Sequence, residues 1–138
     1  MKLIDFGLSK RFNGKLEGRV GTVGYMAPEI INKSPYSSKV DVFAVGVCSF
    51  TLFDGGPPFE IDKEAEKDLD KLYVVMMETK IDYSKIALNY SKEVIATLKL
   101  LLERNEKERQ SAKQLLKTNP WLRRVGRGQE SPSCCIVS

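Results

Sequence analysis

The residues equipped for chemistry in this chain are few, and most sit near its ends. Asp5-Phe6-Gly7 places a carboxylate beside a flexible backbone, and Cys134 and Cys135 place two thiols within four residues of the last one. None of the 138 residues is histidine. That excludes every mechanism in which imidazole acts as base or metal ligand. Asp5-Phe6-Gly7 alone is weak, because such triplets arise by chance.

The thiols carry a more specific pattern. Cys135-Ile136-Val137-Ser138 fits C-a-a-X, and a final serine favours a farnesyl group. One lipid chain anchors only marginally, so stable residence needs a second signal. Cys134 offers a palmitoyl site, and Arg123, Arg124 and Arg127 offer a basic patch worth about 1 kcal/mol per residue against an anionic leaflet. The expectation is a prenyl group on Cys135 and a cytoplasmic, membrane-associated protein. The third cysteine, Cys48, lies in an apolar stretch and reads as a small core residue. An odd count without spaced pairs argues against a disulfide framework and for a reducing compartment.

The elements that must hold these groups are mostly helical. Residues 1–26 are glycine-rich and read as loop, with Lys2-Leu3-Ile4 as a short strand. After Ser38, apolar residues from Val40 to Phe53 surround a helix on all sides, which marks it as central. Gly55-Gly56-Pro57-Pro58 ends it. A charged run, Asp62 to Lys71, leads into Leu69, Leu72, Tyr73 and Met76, which share one helical face. Val94, Leu98, Leu101 and Leu102 repeat that spacing after a cap at Ser91. Ser111 and Gln114 form a capping box, and Pro120-Trp121-Leu122 closes the folded part. Residues 123–138 read as a flexible basic tail.

Composition narrows the classes. Apolar residues make up 42% and charged residues 29%, as in a globular domain. The net charge of +4 is too mild to argue for nucleic acid. No apolar run approaches the roughly 20 residues that span a bilayer, and Asp5 interrupts any secretory signal.

Further blocks give Asp5-Phe6-Gly7 its force. They are Gly21-Thr22-Val23-Gly24-Tyr25-Met26-Ala27-Pro28-Glu29, Asp41-Val42-Phe43-Ala44-Val45-Gly46-Val47, Gly56-Pro57-Pro58-Phe59, and Asn105-Glu106-Lys107-Glu108-Arg109 before Asn119-Pro120-Trp121-Leu122. In order and spacing the set resembles the second half of a protein kinase domain of the serine/threonine type, nearest the calmodulin- or calcium-dependent group. The resemblance implies a mainly α fold, the helical C-terminal lobe of a kinase, incomplete and fronted by a glycine-rich activation segment. It divides the chain into residues 1–122, a partial kinase domain, and the tail 123–138.

By the same resemblance Asp5 would hold the magnesium that bridges ATP phosphates, since Mg²⁺ prefers oxygen ligands. Phe6 would make a regulatory apolar contact, and Gly7 would let the loop flip. The activation segment runs from Asp5, Phe6 and Gly7 to Ala27, Pro28 and Glu29, with Thr22 and Tyr25 in the substrate-docking part. Before that part its hydroxyls reduce to Ser9, and Glu17 stands as a charge that could order the loop without phosphorylation. Glu29 and Arg109 would form a buried ion pair, and Asp41 would anchor the catalytic loop. Phe43 stands where the family usually has tryptophan and lacks the indole donor.

Phosphoryl transfer also needs a Gly-rich nucleotide loop, a strand lysine, its helix glutamate and a loop carrying the base aspartate. Only four residues precede Asp5, and no Arg-Asp dipeptide occurs. The expectation is therefore a chain with no catalytic base, inactive and unable to hold ATP alone. It would be the C-terminal part of a kinase that uses ATP, magnesium and a protein substrate. The alternative is a non-catalytic, membrane-anchored half-kinase that binds a partner kinase or a substrate. In either case an apolar stripe including some of Val42, Phe43, Val47 and Phe50 is expected to lie bare.

Overall fold

The computed structural model describes residues 4–11 and 14–126. The fold is mainly helical, as expected of a kinase C-terminal lobe, and no strand occurs among the described residues. Lys2 and Leu3 of the expected strand lie outside them, and Ile4 is in no strand. One isolated antiparallel bridge, Leu16 to Tyr36, is the nearest thing to a sheet.

A short helix, α1 (Pro28–Ile31), opens with proline at its first turn, where no N–H is needed, and all four of its residues are buried. The central helix α2 spans Lys39–Asp54. Its end is set by Gly55, which takes a left-handed φ of 87° and donates its N–H to the Thr51 carbonyl at 2.9 Å. Gly46 lets α2 approach α6 (Lys92–Leu101), because a Cβ there would stand 2.9 Å from Leu101 Cβ and 3.1 Å from its carbonyl carbon.

The expected bare stripe is not the one observed. Val42, Phe43, Val47 and Phe50 are all buried. Phe43 stacks on Phe59 of the Gly-Pro-Pro-Phe turn at 6.0 Å, and Phe50 meets the edge of Tyr83 at 5.6 Å. The side of α2 left open carries Ala44, Val45 and Cys48, half-buried, and Leu52, which is 76% exposed. Cys48 is thus on the rim of the core rather than inside it. The same rotation of the helix accounts for both corrections.

The charged run forms two helices. Asp62 caps α3 (Lys63–Lys67) by accepting the N–H groups of Glu64 and Ala65, and Asp68 caps α4 (Leu69–Glu78) by accepting those of Asp70 and Lys71. A carboxylate at each start satisfies orphan donors and complements the helix dipole. Leu72 and Met76 turn α4 toward α1 and are fully buried.

The helix α5 (Ser84–Asn89) has no counterpart in the sequence reading. Asp82 sets it up by accepting both the N–H and the hydroxyl of Ser84, at 2.8 and 2.9 Å, which lowers the Asp82 pKa. Ser91 occupies the N-cap of α6 as expected, but its side chain makes no capping hydrogen bond. The box at Ser111 is complete and starts α7 (Ala112–Thr118). Buried Asn119 donates to Thr97 Oγ1 and accepts the Leu122 N–H, joining α6 to α8 (Pro120–Gly126). That helix continues through 123–126, residues expected to be flexible, because Arg124 pairs with Glu93 and Trp121 packs against Phe53.

Candidate functional site

The glycine-rich segment before α1 is tied to the helical body at two places. The first is the Leu16–Tyr36 bridge, in which each N–H donates to the other's carbonyl, at 2.8 and 2.9 Å. Tyr36 is buried and Leu16 packs half-buried on the core. Glu17, expected to order this loop, is exposed and forms no ion pair among the described residues. Backbone pairing and an apolar contact hold the segment at this point.

The second tie is Glu29 to Arg109. The guanidinium donates to both carboxylate oxygens, Nη1 to Oε1 at 2.7 Å and Nη2 to Oε2 at 3.0 Å. Both side chains are buried. Arg109 also donates to the carbonyls of Glu103, Lys39 and Arg104, and its Cζ lies 4.9 Å from the centre of the Phe43 ring. A planar fork satisfies this many acceptors at once, which an ammonium could not. The guanidinium thus rests on the face of the Phe43 ring as a cation–π contact.

Between the segment and α2 lies a cleft of about 470 Å³. It brings together Asp5, Thr22, Tyr25 and Asp41, four residues singled out in the sequence. Asp5 adopts a left-handed φ of 59° and accepts the Gly7 N–H on Oδ1 at 3.1 Å. A Cβ at Gly7 would sit 3.2 Å from that oxygen, on an exposed side chain that can turn away. Phe6, expected to pack, is 68% exposed. Thr22 is exposed and its carbonyl accepts the Tyr25 N–H at 3.1 Å, closing a turn over residues 22–25. Asp41 is exposed, and its carboxylate takes no hydrogen bond among the described residues. Ala27 and Pro28 are buried between this turn and the ion pair. Cys134 and Cys135 lie outside the described residues.

No group of three or more potential metal ligands occurs among the described residues. Asp5 offers one exposed carboxylate, half engaged by Gly7, where octahedral Mg²⁺ needs further oxygen ligands held in place.

Two features had no clear signal in the sequence. Glu106 accepts the Ser37 N–H and hydroxyl at 3.0 and 2.5 Å, and Lys39 donates to its carbonyl at 2.9 Å, closing the start of α2 onto the Arg109 loop. Arg104 caps the end of α4 by donating to the carbonyls of Met76 and Thr79.

A family model for the protein kinase domain matches residues 1–122. Human serine/threonine-protein kinase DCLK2 is 36% identical over 123 residues, which is 88% of this chain and 16% of that protein. Mouse serine/threonine-protein kinase 33 is 35% identical, covering 88% of this chain and 25% of its own length. Calcium/calmodulin-dependent protein kinase type II of Caenorhabditis briggsae is 35% identical, covering 88% and 22%. The chain thus spans a quarter or less of the length of these relatives.

Proposed function

Because this chain belongs to the protein kinase domain family, of the serine/threonine type near the calcium/calmodulin-dependent group, we propose that it supplies the substrate-docking and scaffolding part of a serine/threonine kinase. The whole protein would phosphorylate other proteins, using ATP and magnesium as the family does. The observation that carries the reading is the Glu29–Arg109 pair, which fixes the docking turn from Thr22 to Glu29 on the helical body. Thr22 and Tyr25 would face the substrate, and Asp5 would reach the metal once nucleotide and the remaining ligands are supplied.

Residues 1–138 alone would neither hold ATP nor transfer phosphate. Catalysis of this type is positioning plus electrostatics, and a single exposed Asp5 supplies neither. The test is thermal unfolding of the purified chain with and without millimolar ATP and Mg²⁺. An unchanged midpoint is expected, and a reproducible nucleotide-dependent rise would sink the reading.

A non-catalytic binding role is the second reading. It is favoured by the exposure of Ile4, Phe6 and Leu8 beside the cleft. Under either reading the protein would be cytoplasmic and held at a membrane by prenylated Cys135, with palmitate on Cys134, where Ser138 is the last residue translated and Cys135 ends the processed protein. The motif and the arginines at 123, 124 and 127 support this. Intact mass analysis from cells is expected to show a farnesyl addition and loss of the last three residues. An unprocessed Ser138 end would refute it.

A further inference from the structure

We propose that the outer side of α7, with the exposed residues of α8, rests on an anionic lipid surface and holds the folded domain against it. This rests on the reading of a lipid at Cys135 and extends it from the tail to the helices. The charge of the chain is concentrated here. Residues 110–127 hold five of the 22 basic side chains and none of the 18 acidic ones, which leaves 17 basic against 18 acidic for all other positions. The whole positive excess therefore lies in α7, α8 and the position after them.

Leu115 is buried and fixes which side of α7 meets the body. Leu116 and Lys117 follow Lys113 by three and four positions and share the side turned away from Leu115. Leu116 is 58% exposed there. On α8, Trp121 and Leu122 pack half-buried on the core, which leaves Arg123 and Val125 exposed. Arg124 is taken by Glu93, while Lys113, Lys117 and Arg123 have no ion-pair partner among the described residues. A lone surface lysine needs no explanation. Two lysines bracketing an exposed leucine fit a bilayer interface, where the leucine enters the acyl boundary and the ammonium groups stay among the phosphates. Cys135 comes nine positions after Gly126, and nine residues span at most about 32 Å. A lipid on Cys135 thus keeps α8 within reach of the headgroups. One lipid chain is a marginal anchor, and the basic helical face supplies the second signal. The exposed leucine and valine favour a bilayer over a nucleic acid, whose phosphates offer them no apolar contact.

The test uses the full chain made in bacteria, which add no prenyl group, so binding owes nothing to a lipid on Cys135. Sedimentation is measured with vesicles of phosphatidylserine and phosphatidylcholine in equal parts, and with phosphatidylcholine alone. The chain is expected to pellet with the first only and to be released by high salt. The partition coefficient should fall about tenfold in Lys113→Gln/Lys117→Gln, and several-fold in Leu116→Ser. These positions are exposed, and a far-UV spectrum and thermal midpoint equal to the parent's confirm each variant as folded. Equal binding to phosphatidylcholine, parent-like binding by both folded variants, or no binding by the folded parent would overturn the proposal. So would saturable binding of a single-stranded RNA without binding of vesicles. The farnesyl addition is read separately by mass in cells, so either reading can fail while the other stands.

Discussion

The Phe43 ring lies beneath the Arg109 guanidinium, 4.9 Å from its central carbon, and both side chains are fully buried. Arg109 is thereby held from three directions: by Glu29, by three backbone carbonyls and by an aromatic face. Removing one member leaves the others desolvated and unpaired. Arg109→Met should cost about 3–5 kcal/mol of stability, because Glu29 remains as a buried lone charge. Adding Glu29→Met should recover part of that loss. Urea midpoints of the two variants check this, and equal instability of single and double variants would show that the carbonyl contacts dominate.

Gly46→Ala should destabilise by about 1–3 kcal/mol, the usual cost of overpacking. The added methyl would meet Leu101 Cβ at 2.9 Å and its backbone carbon at 3.1 Å, so α2 and α6 would have to separate. A folded variant with an unchanged thermal midpoint would show that this crossing is looser than the geometry states.

Leu16→Pro should free the glycine-rich segment without unfolding the helices. Proline removes the N–H that donates to Tyr36. Trypsin should then cut after Arg19 several-fold faster than in the parent, since cleavage follows local opening. Lys15 is not a useful reporter here, because trypsin resists a Lys-Pro bond. A parent chain already cut at Arg19 as fast as the variant would remove the bridge from its role.

Burial pushes the Tyr83 phenol up from its ordinary value of 10.0, with Arg104 opposing in part. The folded state therefore holds this proton more tightly than the unfolded chain. Its contribution is fully present below about pH 10 and is lost as the pH rises from there through the raised folded value. Urea midpoints from pH 8 to 11.5 should fall less steeply in Tyr83→Phe than in the parent. Identical slopes would place the alkaline sensitivity elsewhere.

Much of this was legible in the residues, for reasons that are local. The capping box at Ser111 and the stop at Gly55 depend on neighbours within four positions, so spacing alone reveals them. The kinase likeness was legible because ordered blocks such as Gly24 to Glu29 and Asp41 to Val47 are read together. What was not legible depends on rotation and distance. Which side of α2 faces the core is hidden in a helix apolar on nearly every side, so Phe43 and Leu52 could not be told apart. The bridge from Leu16 to Tyr36 and the grip of Glu106 on Ser37 span loops with no periodicity to follow. Helix α5 was missed because its six residues are too short for a face to repeat, although Asp82 two positions before Ser84 was a usable signal.

Glu29 and Arg109 are separated by 80 positions, and that separation orders events during synthesis. At about 5–20 residues per second, a ribosome needs several seconds between making the first and the second. Throughout that interval the Pro28–Ile31 segment is an apolar stretch with an unmatched acid in it, available to chaperones or to neighbouring chains. Until Arg109 emerges, the buried pairing of Glu29 cannot form.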